Sequence, residues 1–305
     1  MKTLLFEKFE NKENFIRLKK KYNLINIGSE KNYNKKNVIA IYVRFIKNLS
    51  NGYLNKFQNL KVIISPTTGL NHIDTEYCKK KKIQIINLSK NNPNLKKITS
   101  TSEMSLSMIL AGVKKISHFY NNSFKLADRY KYQIHQFKNY KVGIIGYGRI
   151  GKKLFKDLKF LKFNVFFYDN DKKLKKEKGY LNLKRLLDVS DIISLNLSYT
   201  KKNFNFFDKD KFKRCKKNLI FVNTARGELV NELDLLSFLK QNKLSCAFLD
   251  VIKNETENYQ KNILYKYSQK KNNLFITPHL GGSSIDALKI TENIVIKEFI
   301  NIYRI

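Results

Sequence analysis

Val142-Gly143-Ile144-Ile145-Gly146-Tyr147-Gly148-Arg149-Ile150-Gly151 decides the fold. An apolar run feeds directly into Gly-x-Gly-x-x-Gly, and a helix-forming segment, Lys152 to Phe160, follows. That is a strand, a tight turn and a helix in the order a dinucleotide pyrophosphate requires. Gly146 permits the sharp turn off the strand. Gly148 has no Cβ, so a phosphate can approach the backbone. Gly151 lets the helix lie close on the strand. The unpaired N–H groups of the first helical turn then face the anion. A second apolar run, Val165-Phe166-Phe167-Tyr168, ends in Asp169. This is about twenty residues on, where an acid accepts hydrogen bonds from the adenosine ribose.

Outward from this stretch the same alternation continues. Strands are expected at Val142–Ile145, Val165–Tyr168, Ile192–Leu195, Leu219–Val222, Cys246–Leu249 and Leu274–Ile276. In the first part they are expected at Thr3–Phe6, Val38–Val43, Val62–Ser65 and Ile83–Ile86. Helical patterns such as Lys12–Tyr22 and Asp74–Lys81 lie between them. Alternating strands and helices imply parallel sheets covered on both faces. Ser100-Thr101-Ser102-Glu103 has the spacing of a capping box and should open a long helix reaching towards Phe119. Residues 120 to 140 read as a connection. The tail from Ser283 repeats its apolar residues with helical period.

The chain of 305 residues is long enough for two domains with real cores. No apolar run approaches the roughly 20 residues needed to span a bilayer, and the N-terminus has no signal-peptide pattern. No membrane partner is expected. Three scattered cysteines, without metal-ligand spacing, suit reduced thiols in a cytoplasmic protein, and no metal site is expected. The net charge of +35 invites a nucleic-acid reading. The lysines, however, spread over nearly every segment and form no stripe. They accompany an excess of Asn, Ile, Phe and Tyr, with only 3 Pro and no Trp. Compositional drift explains this better than a nucleic-acid partner.

Three clusters in the second half follow expected strands. They are Asn223-Thr224-Ala225-Arg226-Gly227, Asp250 through Glu255, and Pro278-His279-Leu280-Gly281-Gly282. In a parallel sheet the carboxyl ends share one edge. Arg226, Glu255 and His279 should therefore converge beside a nicotinamide held at Gly146–Gly151. In the first half, Ser65-Pro66-Thr67-Thr68-Gly69-Leu70-Asn71 also follows a strand end, the usual place for a ligand loop.

With these motifs in this order, the chain resembles the D-isomer-specific 2-hydroxyacid dehydrogenase family. The first half carries the likeness more loosely, through Val43-Arg44 and Thr68-Gly69-Leu70-Asn71-His72-Ile73-Asp74. The resemblance implies two doubly wound parallel-sheet α/β lobes with a cleft between them. One is a Rossmann-type NAD-binding domain over residues 99–282. The other is a flavodoxin-like substrate domain, built discontinuously from residues 1–98 and 283–305. It implies NAD as cofactor and hydride transfer between NAD(H) and a small 2-hydroxy or 2-oxo acid. Arg226 would bind the substrate carboxylate with its planar fork and polarise the carbonyl. His279 would exchange the proton, and Glu255 would hold its other ring nitrogen. Gly146, Tyr147, Gly148, Arg149, Ile150 and Gly151 would meet the pyrophosphate, Asp169 the ribose, and Thr224, Ala225 and Asp250 the nicotinamide side. The N–H groups of Thr68 and Gly69 would cup the substrate carboxylate, with Arg44 nearby. His72, His118 and His135 have no catalytic part. A homodimer is implied as well.

The chain departs from the family pattern in places. Only about twenty residues, without a Trp, separate the long helix from the glycine-rich stretch. Asn196 and Ser198 stand where the family carries His and Pro, and Thr256 follows Glu255 in place of Pro. A second reading shares the same scaffold: a nucleotide-sensing binding protein of the corepressor kind.

Overall fold

The computed structural model describes the chain except residues 30–32, 90, 117–118, 120–125, 127, 132–133 and 305. His118 and much of the 120–140 connection therefore lie outside the described residues. The chain divides into two compact units, Met1–Ile98 with Ser283–Ile305, and Thr99–Gly282.

In the first unit five parallel strands form one sheet: β1 (Thr3–Phe6), β2 (Asn23–Asn26), β3 (Val38–Tyr42), β4 (Val62–Ser65) and β5 (Gln84–Asn87). Their order is β2-β1-β3-β4-β5, the flavodoxin-like arrangement. Strands buried on both faces read as continuous apolar runs. Leu4, Ala40, Tyr42, Val62 and Ile64 point to one face, under Val295, Ile296 and Phe299 of the C-terminal helix Ile285–Tyr303. Leu5, Ile41, Val43 and Ile63 point to the other, against Leu54, Phe57 and Cys78. β2 was not expected from the sequence. It is an edge strand, Asn-Leu-Ile-Asn, with only Ile25 buried, so two apolar residues are all its position demands.

The second unit carries six parallel strands. They are β6 (Lys141–Ile145), β7 (Asn164–Tyr168), β8 (Ile192–Leu195), β9 (Leu219–Asn223), β10 (Leu244–Leu249) and β11 (Leu274–Ile276). Their order is β11-β10-β9-β8-β6-β7. Beyond β7 a single parallel bridge, Phe167 to Tyr180, stands where a further strand would pair. With it the sheet has the 3-2-1-4-5-6 order of dinucleotide-binding sheets, extended by β11 at the far edge. The Lys172–Lys176 segment is a 3-10 helix and Gly179 has φ +97°, so no extended apolar run is left to lengthen that strand.

The helix Arg149–Phe160 buries Gly151, Leu154 and Leu158, one stripe at helical spacing. The helix expected to run towards Phe119 is shorter: it spans Ser100–Val113. Its buried face ends with Gly112 and Val113, and Lys115 turns left-handed at φ +53°. Its N-cap is Thr99, one residue before the capping box expected from the sequence, and the Thr99 hydroxyl donates to Glu103. Among the described residues no helix is long and apolar enough to cross a membrane.

One buried carboxylate ties the C-terminal helix to the rest of the first unit. Glu292 is fully buried. It accepts from the N–H groups of Glu10 (2.8 Å) and Asn11 (3.1 Å) and from Asn14 Nδ2 (2.9 Å). The Tyr42 hydroxyl (3.2 Å) and Arg44 Nη2 (3.4 Å) complete its shell. Burial holds the Tyr42 phenol well above its ordinary pKa, so it remains a donor. Removing one member of a buried ion pair strands the other charge. Glu292→Ala should therefore lower unfolding stability by about 3–5 kcal/mol, and Glu292→Gln by less. Urea unfolding followed by far-UV circular dichroism checks this, and a parent-like transition for the alanine variant would refute it.

Candidate active site

The glycine-rich stretch begins where β6 ends. Gly146 has φ +101°, and a Cβ there would lie 2.7 Å from the Asn196 carbonyl, so a side chain is excluded twice over. A Cβ on Gly151 would lie 2.0 Å from the Gly146 carbonyl oxygen, which is how closely the helix start packs on the turn. Gly148 is different: a Cβ there would meet nothing within 4 Å. The space beside its backbone is open, as a bound phosphate requires. Asp169 at the end of β7 accepts from the Tyr147 N–H (2.7 Å) and the Asp171 N–H (3.0 Å), which fixes the acid against the turn. The Tyr147 ring stacks on Phe167 with centroids 3.6 Å apart. Arg149 is exposed and Ile150 half-buried at the first helical turn.

At the end of β8, beside Gly146, Asn196 donates from Nδ2 to the Ser194 carbonyl (3.2 Å) and Oγ (3.0 Å). These contacts orient the amide and leave its Oδ1 buried without a donor among the described residues. An orphaned acceptor at the sheet edge suits a site that receives a hydroxyl or amide donor from a bound cofactor.

The turn after β9 is closed by Asn223. Its Oδ1 accepts from the Ala225 N–H (3.0 Å) and its Nδ2 donates to the Arg226 carbonyl (2.9 Å). The Thr224 hydroxyl is paired with Ser105 of the long helix at 2.6 Å. The turn is thus held from both sides, and the Ala225 N–H is used within it. Arg226 folds back, Nη1 donating to the Ala225 carbonyl at 2.7 Å. Burial pulls the guanidinium below its ordinary pKa, while Glu255 and Glu228 oppose that pull. An arginine stays charged through such a shift.

Asp250, expected beside the nicotinamide, instead has its carboxylate filled by its own chain. It is 1% exposed. Oδ1 accepts from the Thr277 hydroxyl (2.6 Å) and the Leu280 N–H (2.7 Å), and Oδ2 from the Gly281 N–H (2.7 Å). Burial raises its pKa, and these three donors together with His279 pull it back. The His279 N–H donates to the Asp250 carbonyl (3.0 Å) and the Thr277 carbonyl (2.9 Å). His279 sits at φ +55°, a left-handed conformation that a non-glycine residue keeps only when its surroundings impose it. Thr277 and the Asp250 clamp went unread in the sequence. The only signal was a hydroxyl residue two positions before a histidine.

That turn aims the imidazole at Glu255: Nδ1 and Oε1 are 2.6 Å apart. Both side chains are about four-fifths buried, with 20% and 25% exposure. Three successive strand ends thus bring Arg226, Glu255 and His279 into one electrostatic neighbourhood. Among the described residues no cluster of His, Cys, Asp and Glu has the makings of a metal site.

In the first unit, Thr68 is exposed and Gly69 half-buried on the loop after β4. The Thr67 hydroxyl donates to the Gly69 carbonyl (2.7 Å) and pairs with Ser65 (2.9 Å), which in turn contacts His72 Nε2 (3.2 Å). Arg44, expected near the substrate, points into the C-terminal helix instead. Its Nη2 donates to the Leu288 carbonyl (3.0 Å) and reaches Glu292, and its Nη1 reaches Thr291 (3.4 Å). The buried carboxylate is a stronger attraction than solvent at the loop edge.

A family model described as the NAD-binding domain of D-isomer specific 2-hydroxyacid dehydrogenases matches residues 106–281. A Staphylococcus aureus (strain N315) protein with a provisional 2-hydroxyacid dehydrogenase name is 26% identical over 268 residues, covering 85% of this chain and 81% of the relative. D-lactate dehydrogenase from Aquifex aeolicus, solved with NAD and lactic acid, is similar with a TM-score of 0.76 at 26% identity. That likeness covers 99% of this chain and 96% of the other. A D-2-hydroxyisocaproate dehydrogenase shares the fold with a TM-score of 0.73 at 20% identity, over 99% and 96% of the two chains. With the family model matched over more than half of its length, the chain belongs to the D-isomer specific 2-hydroxyacid dehydrogenases, NAD-dependent oxidoreductases of small 2-hydroxy acids.

Proposed function

We propose that the enzyme interconverts a small 2-oxo acid and its 2-hydroxy acid through Arg226, His279 and Glu255. The observation that carries this assignment is the 2.6 Å contact between His279 Nδ1 and Glu255 Oε1 on a strained turn. A carboxylate on one ring nitrogen fixes the tautomer and the orientation of the ring. The proton in transit then belongs to Nε2. In reduction His279 delivers it to the carbonyl oxygen, and in oxidation it takes the hydroxyl proton. Arg226 holds the substrate carboxylate and polarises the carbonyl. NAD, when bound, supplies or accepts the hydride.

The cofactor residues follow from the same edge. Gly148 and the first N–H groups of the Arg149–Phe160 helix, with Arg149 and Ile150, would take the pyrophosphate. Asp169 would take the ribose hydroxyls, Asn196 a donor from the cofactor, and Thr224 and Ala225 one wall. Asp250 would act there through the turn it clamps. The N–H groups of Thr68 and Gly69 would cup the substrate carboxylate. The reading includes a homodimer, supported by the resemblance of the Ser100–Val113 helix to the one that relatives pack at a dimer interface; a monomer mass by light scattering at micromolar concentration would remove it. It also places the protein in a reducing cytoplasm. Its three cysteines are unpaired, and burial pushes the thiols of Cys215 and Cys246 up to about 12 and that of Cys78 to about 11.

Two glycines separate cofactor binding from folding. Gly148→Ala adds a methyl to open space, so unfolding should be unchanged while the NADH dissociation constant rises by about tenfold or more. Gly151→Ala overpacks the turn and should cost roughly 1–3 kcal/mol of stability. Calorimetric titration and thermal unfolding of both variants check this; unchanged NADH affinity for Gly148→Ala would move the pyrophosphate elsewhere. Asp169 should also favour NADH over NADPH, since its carboxylate repels a 2′-phosphate. A higher kcat/KM with NADPH would refute that role.

The catalytic assignment is tested with NADH and a panel of glyoxylate, hydroxypyruvate, pyruvate and 3-phosphohydroxypyruvate. His279→Ala should lower kcat by roughly 10²–10⁴ with NADH binding kept. Glu255→Gln should lower kcat and reshape its pH dependence, because the imidazole has lost the carboxylate that holds it. Arg226→Lys keeps the charge and loses the fork, so KM for the 2-oxo acid rises and kcat falls. Near-parent turnover of His279→Ala through the neutral range would remove the histidine from the mechanism.

A further inference from the structure

Glu255 opens a short helix, Glu255–Asn258, at the end of the loop that follows β10, and Thr256 comes next. The residue before it, Asn254, is left-handed at φ +54°. Yet the loop is gripped at several points. A Cβ on Gly227 would lie 2.2 Å from the Ile252 carbonyl carbon, so the Arg226 turn and this loop are in backbone contact. The next residue, Lys253, donates its N–H to Glu232 Oε1 at 2.8 Å. Glu232 Oε2 accepts from Asn262 Nδ2 at 2.8 Å, and the same Nδ2 lies 3.3 Å from the Lys253 carbonyl. The Lys253 peptide is therefore held on both sides, N–H by Glu232 and carbonyl by Asn262. Its side chain is tied as well: Nζ donates to Asn205 at 2.5 Å and lies 4.7 Å over the Phe204 ring.

Glu232 is 8% exposed and stands in the first turn of the helix Glu232–Lys240. A buried carboxylate is a costly way to start a helix. Burial raises its pKa, against hydrogen bonds from Lys253 and Asn262 and the charge of Lys253. Glu228 adds repulsion. A solvent-facing acid would serve the helix dipole at less cost, so the position is explained by what Glu232 holds.

We propose that Glu232 is a positioning residue for the Glu255–His279 pair. It fixes the Lys253 peptide, and through it the loop that sets Glu255 against the imidazole. The proposal rests on the catalytic reading of that pair. The charged groups that bear on the pair are Arg226 beside Glu255 and Asp250 beside His279; those facing Glu232 are Lys253 and Glu228. A displacement of Glu255 by an ångström or so is enough to lower kcat by about 10- to 100-fold.

The test is kcat against pH for the parent, Glu232→Ala, Glu232→Gln, Glu255→Gln and the double variant Glu232→Ala/Glu255→Gln. Each is assayed as holoenzyme with saturating NADH and whichever 2-oxo acid of the panel the parent reduces fastest. Glu232→Ala should lower kcat and reshape its pH dependence in the same way as Glu255→Gln. Glu232→Gln keeps the acceptor for Lys253 and should restore most of the parent profile. The double variant should match Glu255→Gln alone, because both act through one contact. A Glu232→Ala enzyme with a lowered melting temperature but the parent pH profile would overturn the proposal, as would additive shifts in the double variant. If Glu232→Ala does not fold, Glu232→Asp, which draws the carboxylate back from the Lys253 N–H, takes its place: a lowered kcat with the Glu255→Gln profile supports the role, and the parent profile overturns it. A Glu255→Gln profile identical to the parent's would instead sink the catalytic reading, and the positioning role with it.

Discussion

Asp250 is a carboxylate with almost no exposed surface, and the turn that carries His279 hangs on it. Its two oxygens collect a hydroxyl and two backbone N–H groups from Thr277, Leu280 and Gly281. Hydrogen bonds to a charged acceptor are roughly twice as strong as neutral ones. That holds a non-glycine residue in a left-handed conformation, and the conformation is what directs the imidazole to Glu255. The geometry of the His279–Glu255 pair is thus secured by a group outside the pair.

The same device recurs. Glu232 holds the Lys253 peptide, Glu7 accepts the Arg44 and Lys47 N–H groups at 2.7 Å each, and Glu292 takes those of Glu10 and Asn11. In a chain with 60 Lys and Arg against 25 Asp and Glu, several of the rare acids stand where backbone donors must be gathered. Loops after parallel strands leave such donors exposed by construction, since each strand end breaks its ladder on the same edge. A buried carboxylate satisfies two or three of them at once and fixes the loop in doing so. The lysines are left to the surface, which is why so large a net charge coexists with two ordinary α/β cores.

Much of the architecture was legible along the chain. Val62–Ser65, Ile192–Leu195 and Leu274–Ile276 stand as strands with the bounds that their apolar runs suggest. A strand buried on both faces is apolar at nearly every position, so composition alone marks it. Where one face or one edge is open, that demand lapses. β2 was missed for this reason, and the vestigial pairing at Tyr180 left no apolar run to read. The Ser100–Val113 helix stops where its buried face ends and Lys115 turns left-handed, which the apolar periodicity did not register.

The site divides the same way. The glycines, Asp169 and the three strand-end clusters announce themselves by spacing, because a tight strand-to-helix turn and the shared carboxyl edge of a parallel sheet impose fixed intervals on the chain. What only the tertiary structure decided is which polar group each side chain meets. Arg44 turned to Glu292, Asp250 to its own turn, and Glu232 to Lys253, across separations in sequence of 248, 30 and 21 residues. Local sequence carries no information on such pairings. They are set by which donors the fold buries together, and a buried charge goes to the partner that its desolvation demands.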